Sequence, residues 1–211
     1  MVTTPTLSNR FLSRERVTRT FLWISVIAWG ILLGAKLFDL RVLVGAWSAA
    51  PPESLALLPY GPHFPVDTGE FFIPSSAALL LAACGALISG WKTPPKYRIL
   101  LLLSAVMIFG TLVFTVVAFW PRNAALWAAA QKSPNAIQDT AVILAMVREW
   151  VMFDWLRVAL ATVGYVAAVR AISIPYPVAE SGRTSRGVKI LGGLCITAVL
   201  LFVIYFLSAV L

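Results

Sequence analysis

Two residues that could take part in acid–base chemistry lie three positions apart in a long apolar stretch. Asp154 and Arg157 belong to the run EWVMFDWLRVALATVGYVAAVR, residues 149–170. At about 100° per residue of an α-helix, they share one narrow face with Trp150. An uncompensated charge in hydrocarbon costs at least roughly 2.5–3.5 kcal/mol, so this face must turn toward other helices or a wet cavity. We therefore expect the pair to lie inside a helix bundle, at a candidate site.

The composition is that of an integral membrane protein. Of the 211 residues, 60% are hydrophobic and only 12% are charged, which is too apolar for a soluble domain. A formal charge of +8 would also suit a nucleic-acid-binding protein, but the basic residues lie beside the apolar runs, as membrane orientation requires. The expected partner is therefore the lipid bilayer and not nucleic acid.

Five apolar runs are long enough to cross a hydrocarbon core about 30 Å thick. They predict an all-α integral membrane protein, a four-helix transmembrane bundle with a fifth C-terminal transmembrane helix. The first run is too long for a signal peptide and is expected to be retained as a helix. The five runs cover residues 21–39, 71–91, 99–120, 139–172 and 187–211.

The remaining segments define the predicted domain organisation. A basic N-terminal segment, residues 1–19, precedes the four-helix membrane domain, residues 20–172. A loop of residues 173–186 then leads to the fifth helix, residues 187–211. Within the membrane domain, residues 46–70 contain five prolines, which rule out a continuous helix. We expect this proline-rich loop to fold back as a cap over one end of the bundle.

The basic residues also predict the orientation of the chain in the membrane. Lysine and arginine are enriched in cytoplasmic loops, which places the N-terminus in the cytoplasm and the C-terminus on the other side. The expected location is a cell membrane, such as the bacterial inner membrane. The non-cytoplasmic side has Arg41, Arg122 and Lys132, whereas the cytoplasmic segments hold Arg10, Arg14, Arg16, Arg19, Lys92, Lys96, Arg98, Arg170, Arg183, Arg186 and Lys189.

With this topology, polar side chains from four helices meet in the non-cytoplasmic half of the bundle. Lys36 and Asp39 end the first helix, Glu70 precedes the second, and Arg122 and Asn123 end the third. Ionisable residues inside a membrane usually mark a functional site, so we expect these residues to join the acidic and basic pair of the fourth helix. The competing interpretation is a set of structural ion pairs that fix the register of the helices.

The sequence contains no pattern typical of a metal or cofactor site. Cys84 and Cys195 lie within apolar runs without a second cysteine nearby, and His63 is the only histidine. Glycine-rich phosphate or dinucleotide motifs of the required spacing are absent. We therefore predict no metal and no bound cofactor.

The third and fourth spans resemble a known family. The segments TVVAFWPRNAALWAA and REWVMFDWLRVALATVGYVAAVRA resemble the paired signature of the anthrone-oxygenase-like family of small four-helix membrane proteins. Pro121 and Asn123 match its first part, and Trp150 and Arg157 match its second part. Asp154 stands where the family more usually has asparagine. The resemblance extends over residues 20–172 and leaves the fifth helix and the proline-rich loop unexplained.

The resemblance implies an enzyme that oxidises polycyclic phenolic anthrones to quinones with molecular oxygen and without metal or flavin. On this hypothesis a flat apolar substrate loses a proton to a carboxylate, and nearby donors stabilise the enolate before it reacts with oxygen. Asp154 would be the base, Arg157 and Asn123 the oxyanion donors, and Trp150 a stacking wall. The other expected substrate-binding residues are Trp120, Arg122, Lys36, Asp39 and Glu70.

Two points stay open from the sequence. An aspartate beside an arginine is a weak base, because the cation stabilises the carboxylate, so Glu70 and Glu149 are alternative bases. The alternative function is a non-catalytic accessory subunit or a binder of small molecules or lipids. A transporter is less favoured, because the chain has no internal repeat and few spans. The fifth helix could contact a second copy of the chain or another membrane protein.

Overall fold

The computed structural model describes residues 7–59, 67–134 and 136–177, and all regular structure in this part of the chain is helical. Four of its helices are long and apolar enough to cross a membrane: Arg14–Trp47, Gly69–Ser89, Pro95–Ala130 and Thr140–Ser173. The protein is thus a multi-pass membrane protein, as the composition predicts. The predicted fifth transmembrane helix, residues 187–211, lies outside the described residues.

The first span is longer than the apolar run that predicts it. Helix α1, Leu7–Phe38, continues into a π-helical turn, Asp39–Leu43, and then into the short helix α2, Val44–Trp47. The N–H of Val44 donates to the carbonyl oxygen of Asp39. This hydrogen bond spans five residues, one more than in an α-helix, and such turns are often found near functional sites.

The described part of the proline-rich loop lies against the bundle. It forms a 3₁₀ helix, Glu53–Leu57, that contacts α2 and the C-terminal part of the third span. Leu55 is fully buried, and the Ser54 hydroxyl donates to the carbonyl oxygen of Trp47 at 2.6 Å. Residues 60–66 of the loop lie outside the described residues.

Three further long helices belong to the remaining spans. Helix α3 is Gly69–Ser89, α4 is Pro95–Phe114 and α6 is Thr140–Ser173. The carboxylate of Asp139 accepts the N–H of Ala141 at 2.8 Å and caps the start of α6, since such a side chain satisfies one of the free amides of the first turn.

The sequence predicts that the third span ends with its apolar run at residue 120, before Pro121, and this prediction is wrong: Pro121 does not end the helix. Helix α4 passes through a second π-helical turn, Thr115–Phe119, into α5, Trp120–Ala130. A proline has no N–H for the carbonyl four residues earlier and collides with it in a regular helix. The π turn moves the hydrogen bonding by one residue, and the N–H of Trp120 donates to the carbonyl oxygen of Thr115. Pro121 then occupies the first turn of α5, where proline is tolerated.

Close packing of α1 against its neighbours depends on two glycines. A Cβ at Gly85 of α3 would lie 2.8 Å from the ring of Phe21, and a Cβ at Gly164 of α6 would collide with the indole of Trp29. Trp29 also donates from Nε1 to the Ser104 hydroxyl of α4 at 2.9 Å. These contacts bring α1, α3, α4 and α6 together around one interior.

The apolar core is divided into two clusters. The first joins α1, α3, α4 and the second half of α6 and includes Leu22, Leu79 and Leu101. The second joins α2, the 3₁₀ helix, α5 and the first half of α6 and includes Trp47 and Leu126. Along the first span, Lys36 and Asp39 lie between residues of the first cluster and residues of the second.

Candidate functional site

A cavity of about 730 Å³ opens between α1, α3, α4 and α6. Most of its wall is aliphatic or aromatic, and polar side chains are confined to a few positions. Its lining residues are Trp29, Leu32, Lys36, Asp39, Asp67, Thr68, Gly69, Phe72, Ile73, Ser76, Ala77, Leu80, Leu81, Ile108, Thr111, Leu112, Thr115, Val116, Trp120, Asn123, Trp150, Arg157 and Ala161.

Four charged residues from two helices form one continuous network beside the cavity. The Lys36 ammonium lies 2.6 Å from Asp39 Oδ2 and 3.1 Å from Asp154 Oδ1. Arg157 donates from Nε to the same Asp154 oxygen at 2.8 Å and contacts it again through Nη2. Two cations and two carboxylates therefore alternate and balance in charge, which reduces the cost of burying them in a membrane.

The two carboxylates differ in their position relative to the cavity. Asp154 is completely buried and does not belong to the cavity wall, whereas Asp39 is 4% exposed and lines the cavity. Asp39 Oδ1 and Asp154 Oδ2 are both buried without a hydrogen-bond partner in the described part of the chain. A buried acceptor without a partner costs free energy, and of these two residues only Asp39 belongs to the cavity wall.

Arg157 is held by three kinds of contact. Its guanidinium carbon lies 3.4 Å from the centre of the Phe119 ring, and its Nη1 lies 3.4 Å from the Thr115 hydroxyl. Both residues belong to the π turn that Pro121 requires. Together with Asp154, they hold a planar cation against the cavity, and the stacking on the aromatic face adds to its stabilisation.

Asn123 is oriented by Trp150. The indole Nε1 donates to Asn123 Oδ1 at 2.7 Å, and an indole N–H can only donate. The amide nitrogen Nδ2 is therefore the group that Asn123 offers to a ligand. Trp150 is itself fixed between the rings of Trp47 and Phe119, each with its centre 5.0 Å away and nearly perpendicular.

Most of the site residues predicted from the sequence line the cavity or lie directly behind its wall, and the others lie elsewhere. Lys36, Asp39, Trp120, Asn123, Trp150 and Arg157 line it, with Asp154 directly behind. Arg122 instead forms a bidentate pair with Glu149, at 2.9 and 3.1 Å, and stacks over Phe153. Glu70 is exposed at the start of α3. These last three ionisable residues do not line the cavity.

Several residues of the site were not predicted from the sequence. Thr115, Phe119 and Phe72 are uncharged, and nothing in their spacing distinguishes them from ordinary apolar helix positions. The only available signal was Pro121, because a proline in a continuing helix requires a local change in hydrogen bonding. Phe72 also faces the Lys36 ammonium, 5.3 Å from its ring centre.

The described residues contain no group of three or more histidine, cysteine, aspartate or glutamate side chains arranged to hold a metal ion. The polar groups of the cavity wall include the Asp39 carboxylate, the Asn123 amide and the cations of Lys36 and Arg157, and the rest of the wall is mostly aromatic and aliphatic. Such a cavity can bind an apolar molecule, remove a proton from it and stabilise the resulting anion.

Residues 63–167 match the family model described as anthrone oxygenase. The matched segment includes Pro121, Asn123, Trp150 and Arg157, on which the resemblance was based. Comparison with curated proteins and with solved structures gives no match. The chain belongs to the anthrone-oxygenase-like family.

Proposed function

We propose that the protein is a membrane-embedded, cofactor-independent oxygenase that acts on a hydrophobic polycyclic or aromatic substrate. The observation that carries this proposal is the apolar cavity whose wall includes Asp39, Asn123 and Arg157. Its volume of about 730 Å³ lies within the usual range of small-molecule sites. An anthrone-like substrate would lose a proton there and react with molecular oxygen as the enolate.

The walls of the cavity favour a substrate that is dissolved in the bilayer. Ile73, Ala77 and Leu81 follow one another at four-residue spacing on α3, line the cavity and are exposed on the outside of the bundle. Side chains with this exposure in a membrane-spanning helix face the acyl chains. A flat apolar molecule could therefore reach the cavity between α3 and α4 without passing through water.

The donors of the site suit an enolate oxygen. We assign this role to Arg157 and to the Nδ2 amide of Asn123, because preorganised donors stabilise a developing oxyanion most when water is excluded. Trp150 and Phe72 would contact the flat faces of the substrate, and Lys36 adds positive charge nearby. Asp154 holds both cations in place; as a base it has less support, because it is bound by two cations and does not line the cavity.

The orientation of the bundle remains that proposed from the sequence, with the N-terminus in the cytoplasm of a cell and the cavity in the non-cytoplasmic half. The support is the distribution of charge. The described basic residues Arg14, Arg16, Lys92 and Lys96 lie at the end of the helices opposite the cavity, as expected for cytoplasmic segments.

A non-catalytic binding protein is the second candidate, and one observation favours it. Lys36, Asp39, Asp154 and Arg157 satisfy one another's charges, as structural ion pairs would. In that case the cavity would bind an aromatic or lipid-like molecule without changing it. Measurement of product formation separates the two functions.

The experiment uses the full-length protein reconstituted in lipid nanodiscs and supplied with an anthrone in air-saturated buffer. We expect oxygen uptake and quinone formation well above the rate in empty nanodiscs. Arg157→Ala should lower the rate by about 100-fold or more, the usual effect of removing an oxyanion donor. Arg98→Ala is the matched control, because Arg98 also stacks on a tryptophan, Trp91, but lies at the opposite end of the bundle. Equal rates for the wild type and Arg157→Ala would contradict the proposal.

A further inference from the structure

We propose that Asp39 is the base that removes the proton from the substrate. The assignment rests on the proposed oxygenase function and deepens it, because it names the group that starts the reaction. It differs from the expectation based on the sequence, in which the base is Asp154.

The first argument is the free oxygen of Asp39. Its Oδ2 is bound to Lys36 at 2.6 Å, whereas Oδ1 is buried and has no hydrogen-bond partner among the described residues. The residue is 4% exposed and lines the cavity. A general base must lie within hydrogen-bond reach of the proton that it removes, and among the described residues Asp39 is the buried carboxylate that lines the cavity.

The second argument is a comparison with Asp154. One Asp154 oxygen contacts both Lys36 and Arg157, and its other oxygen is buried behind the cavity wall. Two cations thus contact the Asp154 carboxylate, whereas Lys36 is the cation that contacts Asp39. Asp154 therefore suits a positioning role, in which it orients Arg157 and Lys36 without touching the substrate.

The remaining acids near the site are less suitable. Asp67 also lines the cavity, but it is exposed, and its Oδ1 accepts the N–H of Gly69 at 2.6 Å. Glu149 is bound by Arg122 outside the cavity, and Glu70 is exposed. None of these three acids combines burial with a place in the cavity wall.

Asp39 lies where the helical geometry of the first span changes. Asp39 is the first residue of the π-helical turn that joins α1 to α2. The additional residue of such a turn changes the direction of the side chains that follow it. Lys36 lies three residues earlier on the same side of the helix, so its ammonium reaches both Asp39 and Asp154.

The proposed reaction balances without an added reductant. Asp39 takes one proton from the substrate methylene, and the carbon of the resulting enolate gives an electron pair to oxygen as the C–O bond forms. Protonated Asp39 returns its proton to the peroxide. Asp39 then removes the second methylene proton; the carbonyl forms, the O–O bond breaks, and the departing hydroxide takes up this proton as water. One oxygen molecule thus converts one methylene into a carbonyl and one water.

The test separates proton removal from the reaction with oxygen. Without oxygen and in D₂O, a base in the site exchanges the methylene protons of the anthrone for deuterium, which mass spectrometry measures. We expect the wild type in nanodiscs to accelerate this exchange and Asp39→Asn to lose about 100-fold or more of the acceleration. Asp39→Glu should recover part of it. Anthrone binding, followed by its fluorescence, should persist in Asp39→Asn, because the amide keeps the size of the side chain.

Two matched variants decide the assignment. Asp154→Asn and Asp67→Asn carry the same substitution at the other two candidate carboxylates. The role of Asp39 would be overturned if Asp39→Asn exchanged the protons at the wild-type rate. It would also be overturned if Asp154→Asn or Asp67→Asn lost the exchange while Asp39→Asn remained active. Exchange by the wild type without oxygen uptake in air would overturn the oxygenase function and leave Asp39 as the base of a proton transfer. A wild type that binds anthrone without exchange would overturn both.

Discussion

Trp150 determines which end of the Asn123 amide faces the cavity. The indole Nε1 donates to Asn123 Oδ1 at 2.7 Å, and the indole is held between two perpendicular rings. A residue that would otherwise act only as an aromatic wall thus positions a hydrogen-bond donor for the substrate. The two residues lie 27 positions apart on different spans, so only the packing of α5 on α6 makes this arrangement.

Trp150→Phe tests this relationship. The ring contacts are kept, but the amide loses the hydrogen bond that fixes its orientation. We expect kcat to fall about 10-fold, which corresponds to roughly 1.4 kcal/mol of transition-state stabilisation, with little change in KM. Steady-state oxygen uptake measures both constants. Trp23→Phe, at a tryptophan exposed on the outside of α1, is the control; equal effects of the two substitutions would refute the positioning role.

Asp154→Asn should destabilise the bundle more than its small change in size suggests. It removes one of two carboxylates that balance Lys36 and Arg157, and breaking a buried ion pair from one side costs about 3–5 kcal/mol. The double substitution Asp154→Asn with Lys36→Met removes one charge of each sign and should restore part of the loss. Unfolding in mixed detergent measures the free energies, and strictly additive effects would show that the network is not coupled.

Gly164→Ala should weaken the packing of α6 on α1. The added Cβ would collide with the buried indole of Trp29, and overpacking of this kind costs about 1–3 kcal/mol. Gly34→Ala is the matched control, because a Cβ at Gly34 meets no atom within 4 Å. Thermal unfolding in detergent should show a lower midpoint only for Gly164→Ala. An unchanged midpoint would mean that α1 and α6 are less closely packed than described.

Ala77→Trp tests whether the substrate arrives from the bilayer. Ala77 lines the cavity and is exposed on the outer face of α3, so a large ring there should obstruct the passage between α3 and α4. We expect KM to rise several-fold while kcat stays nearly constant. Ile88→Trp, on the exposed face of the same helix but away from the cavity, should leave both constants unchanged. A constant KM for Ala77→Trp would argue for access from the aqueous end.

The four described spans and the charged face of α6 were predictable because both follow from local rules. Apolar runs of sufficient length predict membrane helices, and the charges of Asp154 and Arg157 predict an inward-facing surface. The involvement of Lys36 and Asp39 also followed, because the topology places the end of α1 beside the start of α6. These predictions required only hydropathy, helical periodicity and the order of the spans.

The details of the site depended on features that local rules do not capture. The π turns at Asp39 and Thr115 shift the side chains by one residue, and only Pro121 gave a sequence signal for one of them. Arg122 pairs with Glu149 away from the cavity, and this pairing depends on how α5 packs on α6. Whether Asp39 or Asp154 lines the cavity depends on how the first span packs on α6.

The stoichiometry of oxygen consumption by the reconstituted wild-type protein tests the central claim most directly. With an anthrone in the nanodisc, the account predicts one oxygen molecule consumed for each quinone formed, without accumulation of hydrogen peroxide, and a loss of about 100-fold in rate on Arg157→Ala. Anthrone that binds in the cavity but is oxidised no faster than in empty nanodiscs would contradict it.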